Sequence, residues 1–354
     1  MTNSVIQARK SLLSHGHDVL IIAPDGGPTA DTYEGSKLVR LPAVNLKNSL
    51  PVALPSPAIE RVLRAYAPDI VHLASPAIMG AFAQRVCSRL GIPTIAVYQT
   101  DFVGFSRHYR MGFATHGINQ LVKSIHGNAT LNLAPSQYAT NILLELGIKS
   151  VARWGRGVDL ELFNPMRRSI ESSRRGKKIL GFVGRLAPEK EIHKLAQLAS
   201  DPRFQIEIVG DGPERLRLQE LMPQAHFAGR LTGAQLAESI ANFDCFIHPG
   251  EHETFCQAAQ EALSSGVPVI APIKGAVREF VIDGFNGLTV DMSKSNSLKE
   301  ISDDHWNLLF SSEFKINARN SVANRSWDSV NSELISHYRS IVSQREPLES
   351  QRAS

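Results

Sequence analysis

Three short segments in the second half of the chain carry residue types that can do chemistry. The first is GFVGRLAPEKEIHKL, Gly181 to Leu195. An apolar run ends at Val183, Gly184 lets the backbone turn, and Arg185 and Lys190 flank an expected helix start. Free N–H groups and the helix dipole favour an anion at such a place. Arginine offers a fork that fits phosphate oxygens, and lysine adds a point charge. A turn glycine followed by two solvated cations is an equally good reading of this segment alone. The second segment is VGDGPE, Val209 to Glu214, where Gly210 and Gly212 permit unusual dihedrals and Pro213 opens a helix. By itself this is a common strand–turn–helix connection.

The third segment is HPGEHETFCQAAQEALSSGVPVIAP, His248 to Pro272. Glu253 precedes an expected helix, and Glu261 lies about two turns inside it. A carboxylate at the entrance can accept hydrogen bonds from sugar hydroxyls, and one two turns on can reach ribose hydroxyls. The backbone N–H groups of Phe255, Cys256 and Gln257 can meet a phosphate or hydroxyl. For an isolated pair, a capping acid and a solvated surface acid is the simpler reading. His248 and His252 invite comparison with a metal pair, but Pro249 and Gly250 intervene and no further His/Cys cluster completes a site. No metal is expected. No Asp-x-Asp pair is present to hold one on a sugar-nucleotide diphosphate. A leaving diphosphate would therefore have to be neutralised by Arg185 and Lys190.

The elements that must position these residues alternate. In the first half, strand-like runs at Val19–Ala23, Ile70–Leu73, Thr94–Val97 and Ala129–Ala134 are interleaved with helical patterns near 57–66, 78–90, 117–126 and 137–146. A polar, basic stretch, NPMRRSIESSRRGKK, breaks the pattern at 164–178 and reads as a linker. Alternation then restarts, with runs at Ile179–Val183, Gln205–Val209, His226–Ala228, Cys245–His248 and Val267–Ile270. Helices are expected near 189–200, 214–221, 233–242 and 255–265, and a last one near 327–342. Such alternation predicts α/β domains with parallel sheets, whose ligands bind beyond the carboxyl ends of the strands. The expected division is a first domain over 1–163, the linker, a donor-binding domain over 179–325, a helix over 326–345 crossing back to the first domain, and a polar tail over 346–354.

Composition sets the frame. The chain has 354 residues, 43% hydrophobic and 20% charged, which suits two ordinary globular domains. No apolar run approaches the roughly 20 residues of a bilayer span, and no secretory signal is read at the start. The three cysteines, Cys87, Cys245 and Cys256, are scattered and odd in number, as expected of thiols in a reducing compartment. The net charge of +4 fits an ordinary surface, and it also suits anionic lipid or phosphorylated ligands. Nucleic acid is not an expected partner, because no dense Lys/Arg stripe with interleaved aromatics occurs.

Taken together and in order, these segments resemble the retaining glycosyltransferases of family 4, which have the GT-B fold. The signature is Glu-x7-Glu, here Glu253 and Glu261. VGRLAPEK, VGDGP, HFAGRLTG and GVDLELFNP match as well, and the resemblance covers nearly the whole chain. VYQTDFVGF, WGRGVD, HETFCQAAQEAL and the closing Ser326-Trp327 are most similar to actinobacterial α-mannosyltransferases that use GDP-mannose. The resemblance implies two Rossmann-like domains facing a central cleft. It implies that Gly184, Arg185 and Lys190 bind the diphosphate and that Glu253, Thr254 and the Phe255–Gln257 backbone hold the sugar. Glu261 would take the ribose, and Gly229, Arg230 and Leu231 would meet the base. Gln99, Asp101 and Arg156 would lie on the acceptor or sugar side. The implied donor is GDP-mannose without a metal cofactor. The implied acceptor is a hydroxyl of a lipid or lipid-linked glycan, reached by a cytoplasmic protein peripheral to the inner leaflet.

Two features depart from the family. Many relatives have a histidine where this chain reads Tyr98-Gln99-Thr100-Asp101; Gln99 cannot act as a general base, whereas Asp101 can. The family also begins with a strand and a glycine-containing loop, whereas this chain starts at MTNSVIQARKSLLSHG, inside the first helix. The first domain is thus expected to lack its N-terminal strand, so that either the protein is impaired or its true start lies upstream. Two other readings follow from the sequence: a UDP-sugar-dependent glycolipid glycosyltransferase, and a truncated sugar-nucleotide-binding relative without activity. A dehydrogenase is disfavoured, because no Gly-x-Gly-x-x-Gly follows a strand with an acidic residue about 20 positions on.

Overall fold

The computed structural model of the chain describes residues 2–25, 32–44, 52–74, 78–99, 112–169 and 176–352. Its contacts divide into two compact units. The first comprises Met1–Pro135, Ala139–Gly155 and Val330–Ser354, and the second Ser136–Tyr138 and Arg156–Ser329.

The first unit contains β1 (Leu20–Pro24), β2 (Thr32–Tyr33), β3 (Ser36–Leu41), β4 (Ala43–Val44), β5 (Val52–Ala53), β6 (Val71–Leu73), β7 (Thr94–Val97), β8 (Leu131–Ala134) and β9 (Val151–Arg153). β6-β7-β8-β9 form a four-stranded sheet, all parallel. Ile95, Ala96 and Val97 of β7 are fully buried, as an unbroken apolar strand must be when both faces of a parallel sheet are covered. β1 pairs in parallel with β3 in a separate sheet. Among the described residues no strand joins β1 to β6, so the parallel run of this unit is discontinuous there.

The last helix, Trp327–Arg352, contributes to the core of the first unit. Val330, Leu334 and Tyr338 recur at helical spacing and pack with Ala8, Ile95, Leu133 and Trp154. The Tyr338 hydroxyl lies 2.6 Å from His72 Nδ1, which satisfies a phenol that is otherwise buried.

The second unit holds β10 (Lys178–Val183), β11 (Phe204–Val209), β12 (His226–Gly229), β13 (Cys245–Ile247), β14 (Val269–Pro272) and β15 (Gly287–Val290). They form one sheet in the order β12-β11-β10-β13-β14-β15, with every pair parallel. Successive side chains point to opposite faces, and the core divides accordingly. Ile179, Val209, Phe246 and Val269 enter one apolar cluster with Ala259 and Leu263. Leu180, Phe182, Ile208, Cys245 and Ile247 enter the other with Leu195, Trp306 and Phe314. The chain runs outward from β10 through β11 to β12, then returns to lay β13 on the other side of β10. That reversal is a topological switch point, where a crevice opens beyond the strand ends.

Two expectations need correction. The segment after β10 is not an α-helix. It forms two 3-10 turns, Pro188–Lys190 and Ile192–Gln197, separated by Glu191 at φ 51°. A residue in the left-handed region cannot continue a right-handed helix, so Arg185 and Lys190 do not flank an α-helical N-terminus. Six short strands also lie outside the expected ones: β2, β3, β4, β5, β9 and β15. β9 and β15 are sheet edges, where polar and charged residues are tolerated and the apolar signal is weak.

The loops at the switch point are packed backbone to backbone. Leu186 N–H donates to Asp211 O at 3.0 Å, and Glu214 N–H donates to Leu186 O at 3.0 Å. Gly210 has φ 137°, and a Cβ there would stand 1.9 Å from the carbonyl oxygen of Gly184. Gly210→Ala is therefore expected to destabilise the second unit by at least about 2 kcal/mol. Thermal or denaturant unfolding reads this, and an unchanged midpoint would contradict the close approach of the two loops.

Candidate active site

The loops that leave β10 and β13 are neighbours because their strands are. The β10 loop supplies Gly184, Arg185, Glu189 and Lys190; the β13 loop supplies His248 to Cys256. Gly250 seats the second loop on the first, since a Cβ there would lie 2.9 Å from the Glu189 carbonyl oxygen. Across that contact the Lys190 ammonium donates to a Glu253 carboxylate oxygen. The two side chains are 20% and 18% exposed, so the pair is largely withdrawn from water. Burial alone lowers the Lys190 pKa, but the adjacent Glu253 carboxylate outweighs it and the ammonium ends above its ordinary value. Arg185 donates to the buried Glu189 one turn on, while its own side chain stays 58% exposed.

Glu253 also faces His248. The imidazole Nε2 lies 3.5 Å from a Glu253 oxygen, and Nδ1 lies 3.5 Å from Cys256 Sγ. His248 is fully enclosed and stacked on Phe182, with ring centres 6.2 Å apart. Burial lowers its pKa to about 4, so the ring is neutral. Cys256 takes φ 32°, a left-handed conformation unusual for a side-chain-bearing residue, at the entrance to the helix Gln257–Ser264. Thr254 is buried and Phe255 packs on Phe280 at 5.2 Å between ring centres.

Glu261 sits within that helix and is only 8% exposed. The solvated-acid reading of this residue does not hold, because every residue from Ala259 to Ser264 is buried. Burial raises its pKa to about 8, opposed by a hydrogen bond from Gln257. The same helix also ties down the neighbouring backbone: Gln260 Nε2 donates to Arg156 O at 2.9 Å and Gln257 Nε2 donates to Gly157 O at 3.0 Å. Arg156 is itself buried, and desolvation lowers its guanidinium to about 10. Gly229 closes β12 and its carbonyl accepts from Gly210 N–H at 2.7 Å; Arg230 beyond it is exposed and Leu231 half-buried.

The second unit thus contains Gly184, Arg185, Lys190, Gly229, Arg230, Leu231, Glu253, Thr254, Phe255, Cys256, Gln257, Glu261 and Arg156. Lys190 and Glu253 are in contact, and Arg156 is held through Gln260. Gln99 is half-buried just after β7 of the first unit. Asp101 lies outside the described residues. Sequence reasoning did not find Glu189, whose i,i+4 spacing to Arg185 was the available signal. Nor did it find the role of His248, which meets Glu253 and Cys256 rather than His252. These three are the candidate metal ligands among the described residues. A separate groove of about 880 Å³ lies beside β11 and β12, lined by Glu207, His226, Leu231 and Glu238, without either loop cation.

Residues 1–162 match the family model described as Glycosyltransferase Family 4, and residues 165–308 match Glycosyl transferases group 1. A protein of Mycolicibacterium smegmatis named GDP-mannose-dependent alpha-mannosyltransferase is 43% identical, over 98% of this chain and 94% of its own length. One of the same name from Corynebacterium glutamicum is 41% identical, over 98% of this chain and 87% of its own. The fold is similar to that of sucrose-phosphate synthase from Thermosynechococcus elongatus, with TM-score 0.78 at 20% identity over 96% of this chain and 93% of that one.

The pKa of Glu261 sets a pH signature. Its folded value lies above its unfolded one, so the folded state binds the extra proton. Its contribution is most favourable below pH about 4.5 and is lost as pH rises to about 8. Glu261→Gln is therefore expected to gain stability relative to the parent across that window, by up to about 4 kcal/mol at pH 8. Melting of both proteins at pH 5, 6.5 and 8 reads this, and a constant difference would contradict the burial argument.

Proposed function

The chain belongs to glycosyltransferase family 4, and from that membership we propose that it transfers mannose from GDP-mannose to a hydroxyl with retention of configuration. The observation that carries this reading is the Lys190–Glu253 contact at the β10/β13 switch point. It puts a cation able to take a phosphate beside a carboxylate able to take sugar hydroxyls. Similarity to the two mannosyltransferases supports GDP-mannose over a UDP-sugar.

In this reading Arg185 and Lys190 neutralise the charge that develops on the departing diphosphate. Preorganised cations of this kind act most strongly where water is excluded. Arg185 is exposed enough to rotate from Glu189 onto a phosphate. Lys190 is poised to share its ammonium between Glu253 and the diphosphate. Glu253 then accepts from hydroxyls of the transferred sugar, and the backbone from Phe255 to Gln257 lies beside it. Glu261, whose pKa burial raises, meets the ribose hydroxyls. The Gly229–Leu231 backbone reads the base. Gln99, Arg156 and Asp101 serve the acceptor or sugar side, with Asp101 the candidate base. No metal is needed to balance the diphosphate. The acceptor is a lipid or lipid-linked glycan, met by a cytoplasmic protein at an anionic membrane surface. No described helix is long and apolar enough to cross a membrane.

A donor panel tests the reading. GDP-mannose should raise the melting temperature and yield GDP with acceptor membranes, since a ligand of the native state stabilises it. UDP-glucose should do neither, and a response to UDP-sugars alone would overturn the donor assignment. Arg185→Ala should keep the fold and lower kcat by roughly 100- to 1,000-fold. EDTA should leave transfer unchanged. Full activity of Arg185→Ala, or abolition by EDTA, would refute the metal-free diphosphate clamp.

A further inference from the structure

Lys190 and Glu253 do not exhaust the chemistry of the β13 loop. His248 Nε2 is wholly buried, has no hydrogen-bond partner and lies 3.5 Å from a Glu253 oxygen. An unpartnered imidazole nitrogen buried beside a carboxylate is an arrangement that a bound cation satisfies. Cys256 completes the set: one ligand atom each from His248, Glu253 and Cys256 lie within 4.8 Å of one another. Nitrogen, oxygen and sulfur together are the donor set of a zinc-class ion. Metal–ligand bonds of about 2.0–2.3 Å in a tetrahedron put ligand atoms about 3.5 Å apart. The imidazole–carboxylate separation already has that value, and an inward shift of about 1 Å closes the rest. Phe182 fixes the plane of the imidazole, and a hydrogen bond with the Gly250 backbone orients it, as second-shell groups do in metal sites.

We propose that His248, Glu253 and Cys256 form a binding site for a divalent zinc-class cation, which displaces the Lys190 ammonium from Glu253. On entry the Cys256 S–H bond breaks, a sulfur–metal bond forms, and one proton leaves to solvent. Thiolate and carboxylate then balance the two positive charges, while Lys190 turns outward. The fourth position stays open for water. This ion occupies the place from which Glu253 serves the sugar, so it inhibits transfer; that consequence rests on the donor reading above.

The test is a titration of the full chain with Co²⁺ as a spectroscopic stand-in, in the absence of nucleotide. The parent should develop a thiolate-to-cobalt charge-transfer band that added Zn²⁺ bleaches. Cys256→Gly should lack it, and this variant is suited to φ 32° and so should fold, as melting will verify. His248→Asn should weaken Zn²⁺ binding by at least roughly tenfold. No thiolate band in the parent, or a band that persists in Cys256→Gly, overturns the site. Transfer by the parent should fall on addition of Zn²⁺ and recover with EDTA. A band that appears without inhibition supports the site and counts against Glu253 as a donor ligand.

Discussion

The ion pair between Lys190 and Glu253 is the interaction on which the second unit's chemistry depends. Its partners are 63 residues apart in sequence and come from loops that follow different strands. They meet because β13 lies against β10, where the winding of the sheet reverses. An ammonium and a carboxylate at about 4 Å attract by about 4 kcal/mol at the effective dielectric of a partly buried site. Removing one partner of such a pair leaves the other uncompensated, which costs more than the pair contributes. A phosphate that draws Lys190 away must therefore bring charge of its own, and Glu253 must find hydroxyl donors. In the proposed reading a sugar diphosphate would supply both at once.

The remainder of the unit holds that pair in place. Alternating apolar residues on β10, β11, β13 and β14 bury both sheet faces and fix the strand ends. The helix Gln257–Ser264 carries the buried Glu261 and ties the Arg156–Gly157 backbone down through Gln260 and Gln257. A single element thereby positions the buried Glu261 and the buried Arg156. Neutral His248, fixed between Phe182 and the Gly250 backbone, leaves Glu253 without a second positive partner.

Much of this was legible in the residues. Thr94–Val97 coincides with an observed strand, and Ile179–Val183, Gln205–Val209 and His226–Ala228 each fall within one residue of it. Buried parallel strands are continuous apolar runs and announce themselves. β3, SKLVRL, was not legible, because Lys37 and Arg40 interrupt its apolar run. The turn structure at Pro188–Gln197 was hidden because a left-handed Glu191 has no side-chain signature. Glu261 looked like a surface acid because its burial is a property of packing around the helix. The approach of Lys190, Glu253, His248 and Cys256 depends on strand order, which local pattern does not encode.

The most direct test is a double-mutant cycle on Lys190→Met and Glu253→Gln, read as kcat/KM for GDP-mannose. If the two groups act as one charge-balanced unit, each single change should cost nearly as much as the double. The double variant should then fall no more than about tenfold below the worse single, as for residues that function together. Losses that multiply in the double variant would show that the cation and the carboxylate serve the donor independently, and would contradict this account.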